Sequence, residues 1–228
     1  MQRHTVTVPL SMMRQIRVSW DIDWRGQGLG ETNSGNSQVV YNAFPRWVGE
    51  PELLFGRALL GQWRAIRWQA QGRLGMFRIP MFDPAVMNVR ALAASAAVED
   101  NGIPFANGQF FSSGSGFEFS PFCEVLEDAP AGAEVLRVRM PGADYQPQIG
   151  QIMSHQDWPF GVTSVMPSGG GDYELGVQRF TTAAAAGEMI PFLGVGIFEM
   201  VDDVTGRAVY SADLTARVPV KFREVLNR

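Results

Sequence analysis

From Ile16 to Trp24 the chain alternates. Ile16, Val18, Trp20, Ile22 and Trp24 fall on one face of an extended strand, and Arg17, Ser19, Asp21 and Asp23 on the other. A period of two predicts a half-buried strand. Shorter runs repeat the pattern in "RHTVTVPL", whose terminal proline suits an edge strand, in "QVVYNAFPRW" and "MFRIPMF", and from Val135 to Met140. "QIGQIMSHQDWPFGVTSVMPSGGGDYELGVQRF" reads as three strands split by turns, and "GEMIPFLGVGIFEMVDD" adds further extended chain. At the end, Leu214, Ala216, Val218, Val220 and Phe222 alternate with polar residues across a closing strand.

One segment keeps a different rhythm. Between about Glu50 and Gln71, Phe55, Leu59, Trp63, Ile66 and Ala70 recur every three to four residues and predict the apolar stripe of a helix. Pro51 is placed where a first-turn proline is tolerated, and Glu50 and Glu52 suit the positive end of the helix dipole. Gly72 and Gly75 are the stop signals. Arg57, Arg64, Arg67 and Trp68 lie off the stripe, so packing on a sheet leaves them unexplained. "RGQGLGETNSGNS" reads as a mobile polar loop, and alanine-rich residues 85–99 as a short helix or a loop. Roughly ten to twelve strands against one helix predict a mainly β fold. The expected form is a β-sandwich or barrel with one flanking α-helix at about residues 51–71, plus a second small β-barrel module.

Composition narrows this further. With 228 residues and 46% hydrophobic content the chain can bury a core and is not a disordered segment. Gly 25 and Pro 14 favour short strands joined by turns. A net charge of -4 excludes an overall basic footprint for nucleic acid or anionic membrane. Lys221 is the lone lysine, and every other basic residue is an arginine, whose planar fork suits bidentate and stacked contacts at interfaces. Cys123 is the single cysteine, so a disulfide scaffold is excluded. The N-terminal stretch carries charges where a signal peptide needs an apolar core, and no run approaches the ~18–20 apolar residues of a membrane helix. A soluble protein made in the cytoplasm is expected.

Candidate chemistry is sparse. His155, in "SHQDWP", reads as a surface turn histidine with Asp157 close by, and His4 lies near a terminus. Two such residues fall short of the three or four convergent ligands a metal site needs. Cys123 reads as a core thiol, because a nucleophile needs a base and an orienting group. "GQGLG" at 26–30 lacks the spacing and the following helix of a phosphate loop, and "SGSG" and "SGGG" read as hairpin loops. The carboxylate pairs Asp21 with Asp23, Asp202 with Asp203 and Glu127 with Asp128 suit solvated strand faces and turns. No catalytic, cofactor-binding or metal-binding residues are assigned, and a structural or binding protein is expected.

The order of features carries a resemblance. A "TVPLS" strand and a glycine-rich segment ending in Gln38-Val39-Val40 precede the helix "FGRALLGQWRAIRWQAQGRLGMFRIPMFDP". A small β module with "AGAEVLRVRMPG", "IGQIMS", "GVTSV" and "GDYELGVQRF" comes next, and "ARVPVKFREVLNR" closes the chain. Over nearly its whole length this resembles the distal tail protein class, the tail-tip (baseplate) proteins of long-tailed bacteriophages and gene-transfer agents. The resemblance implies a structural virion protein, assembled in the host cytoplasm into a homohexameric ring that joins the tail tube protein to the hub. DNA would pass through the ring without sequence-specific binding. It also implies a ring-forming β-barrel domain from residues 1–100 and 197–228, with an inserted β-barrel at 101–196. Under it, Arg57, Arg64, Arg67 and Trp68 would face Asp21, Asp23 or Glu50 of a neighbouring subunit. Six tryptophans leave a second reading open, a carbohydrate-binding β-sandwich adhesion module that engages a host-surface glycan through an exposed residue such as Trp158. In the main, though, Trp20, Trp24 and Trp63 are expected on core stripes.

Overall fold

A computed structural model describes residues 3–13, 15–17, 19–31, 35, 37–42, 44–86, 105, 107–114, 116, 122–140, 146–210 and 214–228. The chain divides into two compact units, Met1–Pro80 with Gly196–Arg228, and Met81–Val195. The boundary expected at residues 100/101 falls outside the described residues, as does most of the alanine-rich stretch 85–99. The architecture is the expected mainly β one, with a single α-helix among the described residues and a nearly closed six-stranded barrel.

In the first unit the strands are β1 (Thr5–Thr7), β2 (Gln15–Arg17), β3 (Trp20–Asp23), β4 (Gln27–Glu31), β5 (Ser37–Val40), β6 (Arg46–Gly49), β7 (Glu52–Phe55) and β8 (Met76–Pro80). The helix α1 (Arg57–Ala70) sits between β7 and β8. The inserted unit holds β9 (Phe122–Val125), β10 (Val135–Arg139), β11 (Ile152–His155), β12 (Trp158–Gly169), β13 (Asp172–Gln178) and β14 (Met189–Pro191). The chain then returns through β15 (Val195–Met200), β16 (Ala216–Pro219) and β17 (Phe222–Glu224).

The main sheet of the first unit runs β1-β8-β15-β17-β6-β3, and a smaller sheet runs β16-β7-β2. Alternation explains the core between them. Phe77, Ile79, Phe198 and Phe222 face inward, and Trp20 stacks on Phe222 with ring centroids 6.4 Å apart. Gly49 is required there, since a Cβ would lie 2.3 Å from the Trp20 ring. The alternating run from Ile16 to Trp24 is not one strand. It divides into β2 and β3, which join different sheets, and Trp24 beyond β3 is 47% exposed instead of in the core.

The helix begins later than its spacing predicts. Leu53 and Phe55 are buried and Leu54 is exposed, a period of two, and the segment pairs with β16 and β2 as strand β7. Cross-strand pairing has overridden a 3–4 spacing that Phe55 happens to satisfy. Pro51 therefore precedes a strand, Glu52 lies within one, and the first helical turn carries no acidic residue. Phe55 still meets the helix, its ring 5.4 Å from that of the buried Trp63. Leu60, Trp63 and Ala70 are the buried positions of α1. At the C-terminal end Gln71 turns left-handed (φ 54°), and the Gly75 N–H donates to the Ala70 carbonyl at 2.8 Å.

The inserted unit winds β11-β12-β13-β10-β9-β14 around Cys123, Val125, Leu136, Val138, Met153, Phe160, Leu175, Val177, Phe180 and Ile190. Its open edge is nearly sealed. The Gly194 N–H donates to the Ile152 carbonyl at 3.0 Å, the Val195 N–H to Ser154 Oγ at 2.9 Å, and Gln151 Nε2 to the Phe192 carbonyl at 3.0 Å. Every residue of β11 is buried, so both of its faces are covered. Burial pushes the Cys123 thiol up to about 12, so it stays protonated, a core thiol as expected.

Candidate interaction surface

Three features stand out from the packed framework. The first is the exposed side of α1. Arg57, Arg64 and Trp68 recur at helical spacing along one line, with Arg64 stacked over Trp68 at 5.1 Å from the ring centroid. Trp68 is 69% exposed. Beside them the turn after β15 is anchored from below, because the buried Trp63 Nε1 donates to the Gly206 carbonyl at 2.8 Å. Arg67 Nη2 donates to the Asp203 carbonyl at 3.2 Å, and Arg64 reaches the Tyr210 hydroxyl at 3.4 Å. A cavity of about 410 Å³ results, lined by Arg67, Trp68, Gln71, Gly72, Asp203 and Arg207. Desolvation, then repulsion from Arg207, lowers the Arg67 pKa against the pull of Asp203.

The second is the acidic group. Asp21 and Asp23 on β3 and Glu50 beyond β6 line a separate cavity of about 250 Å³, together with Arg46, Lys221 and Arg223. Asp23 lies 3.5 Å from Arg46, and Glu50 pairs with Lys221 at 3.0 Å. The structure thus gathers Arg64, Arg67 and Trp68 on α1 and the three carboxylates around β3 and β6. Among the described residues no ion pair joins the two groups, and Arg57 on the first helical turn belongs to neither cavity.

The third feature was hidden behind glycines. The stretch read as a polar loop contains β4, which among the described residues pairs only with β5 in a two-stranded ribbon. Leu29 (64%), Val39, Val40, Tyr41 (86%) and Phe44 are all exposed on or beside it. The signal available was "QVVY", an apolar run with no alternating polar face. Arg207 and Tyr210 had no sequence signal, because only the fold brings them to α1.

His155 is a correction. It is 5% exposed within β11, not a surface turn residue. Its Nε2 lies 2.8 Å from a Glu188 carboxylate oxygen and its Nδ1 2.7 Å from Thr182 Oγ. A carboxylate can only accept, so in the neutral ring Nε2–H donates to Glu188 and Nδ1 accepts from the Thr182 hydroxyl. The ring stacks on Phe180 and ties β11 to the segment entering β14. Asp202, in one of the carboxylate pairs, accepts the backbone N–H groups of Val204 and Thr205 and is held below the usual carboxylate range chiefly by the latter bond. Among the described residues no group of three or more His, Cys, Asp or Glu side chains could hold a metal. Comparison with protein-family models and with curated proteins gives no match for the chain.

Proposed function

We propose that this chain is a structural subunit of a virion tail tip, a ring-forming protein that connects the tail tube to the hub of a long-tailed bacteriophage or gene-transfer agent. The β4–β5 arm is the observation that carries the reading. An isolated two-stranded ribbon is marginal in water, and among the described residues both edges of this one are unpaired. Its exposed Leu29, Val39, Val40 and Tyr41 acquire a purpose when another surface covers them. In a closed ring every subunit presents one patch to a different patch on its neighbour, so an arm and a separate receiving face suit that geometry. The α1 face with Arg64, Arg67 and Trp68 has the residue types that anchor interfaces.

Mass by light scattering after gel filtration, with negative-stain images of the peak, tests the reading. The expected result is a ring of several copies. A chain that stays monomeric up to its solubility limit, both alone and with tail tube protein, would overturn it.

A further inference from the structure

We propose that the cavity between α1 and the turn after β15 is a socket for carboxylates, and that it docks an acidic polypeptide segment of a partner. Several cations elsewhere in the first unit are matched inside the chain, while Arg25, Arg73 and Arg217 form no ion pair among the described residues. Arg3 and Arg223 pair with Glu199, Arg17 with Glu52, Arg46 with Asp23, and Lys221 with Glu50. What sets α1 apart is that several unpaired guanidiniums share one surface, with Arg67 and Arg207 lining the same cavity. Arg57, Arg64, Arg67 and Arg207 form no ion pair with any described carboxylate, although the chain carries a net charge of -4. Asp203 lines the cavity, but its carboxylate oxygen accepts the Arg73 N–H at 3.0 Å, and only its backbone carbonyl accepts from Arg67.

Arg67 supplies the sharper argument. Its Nε is buried and has no hydrogen-bond partner. Trp20 Nε1 and Arg46 Nε are buried without a hydrogen-bond partner too, but neither belongs to a group of unpaired guanidiniums. A carboxylate entering the cavity would accept from Arg67, sit between two guanidiniums that otherwise repel each other, and lie against the exposed Trp68 ring. The surroundings select the kind of carrier. Val204, Val209 and Tyr210 are exposed along the same turn and the chain after it, so the patch alternates charge with apolar surface. That mixture matches a polypeptide carrying Asp or Glu among apolar residues better than a phosphate backbone. The socket lies on the α1 face that the proposed ring also uses and rests on that reading, but it is defined by the partner's chemistry and is tested separately from ring formation.

The test titrates the full-length protein with a fluorescein-labelled peptide of alternating glutamate and leucine, read by anisotropy. Three probes run beside it: the same peptide with glutamine for glutamate, free glutarate, and single-stranded DNA. The acidic peptide is expected to bind, more weakly as salt rises, and the glutamine peptide to be silent. Arg67→Ala and the more exposed Arg207→Ala should each weaken binding by about tenfold or more, with circular dichroism unchanged for at least the latter. No binding of the acidic peptide, or equal binding to Arg207→Ala, would overturn the socket. Glutarate or DNA binding as tightly as the acidic peptide would overturn its assignment to a polypeptide. Light scattering on the same samples reports the oligomer separately, so a failed ring and a failed socket are distinguishable.

Discussion

The inserted barrel and the first unit solve the same problem in opposite ways. Both must satisfy strand edges and charged side chains. The barrel does so internally: the segment from Phe192 to Val195 hydrogen-bonds to β11. Arg137 pairs with Glu127 at 2.8 Å, and Arg139 with Asp172 at 2.8 Å. Among its described residues the first unit leaves an apolar ribbon without a third strand and a row of guanidiniums without ion-paired carboxylates. The inserted unit closes over its own sheet edge, whereas the first unit presents exposed apolar and cationic surface.

The contrast can be broken most forcefully in the barrel. Phe160 is fully buried, edge-on to Phe180 at 5.3 Å between centroids. Phe160→Ala should cost about 3–5 kcal/mol of stability in urea unfolding. An arm carrying both Val39→Asp and Tyr41→Asp should do the reverse, abolishing association by light scattering while moving the urea midpoint by less than about 0.5 kcal/mol equivalent. Were the arm variant instead to unfold at much lower urea, the ribbon would be part of a self-sufficient core and the contrast would fail.

His155→Ala should be next in size, about 1–3 kcal/mol, because it strands the partners of a buried ring. His155→Phe keeps the stacking on Phe180 but cannot bond to Thr182 or Glu188, so comparing the two variants separates packing from polar closure.

The smallest effect concerns Glu199 in the first unit. Burial disfavours its charge, but hydrogen bonds from Arg3 and Arg223 outweigh that and hold it below the usual carboxylate range. A carboxyl depressed in the folded state stabilises above its unfolded pKa, and the contribution disappears as pH falls through the folded value. Glu199→Gln should therefore be less stable than the parent at neutral pH, and the gap in melting temperature should shrink in acid below the normal glutamate range. A gap that persists unchanged there would mean that shape, not charge, holds the site.

What was legible in the sequence followed the range of the interactions. The C-terminal end of the helix was readable because Gly72 and Gly75 act locally, and its arginine side because spacing alone separates Arg64 and Trp68 from Trp63. Its start was misread because the partner that turns Leu53 and Phe55 into a strand is β16, near the far end of the chain. Burial of His155 depends on Thr182 and Glu188, which no window around the histidine contains. The arm was obscured for a different reason. Glycine-rich polar sequence normally marks a loop, and β4 is a strand whose apolar partners lie exposed on β5.

One feature of the connectivity reaches beyond this chain. β8 and β15 are neighbours in the main sheet, and the barrel is spliced between them. Its first and last residues are nearly in contact, since the Met81 N–H donates to the Gly194 carbonyl at 2.7 Å. A cassette with adjoining ends can be exchanged for another, or for a short turn, without re-threading the scaffold that receives it. A substitution of the whole barrel at this point would leave the sheet order of the first unit unchanged.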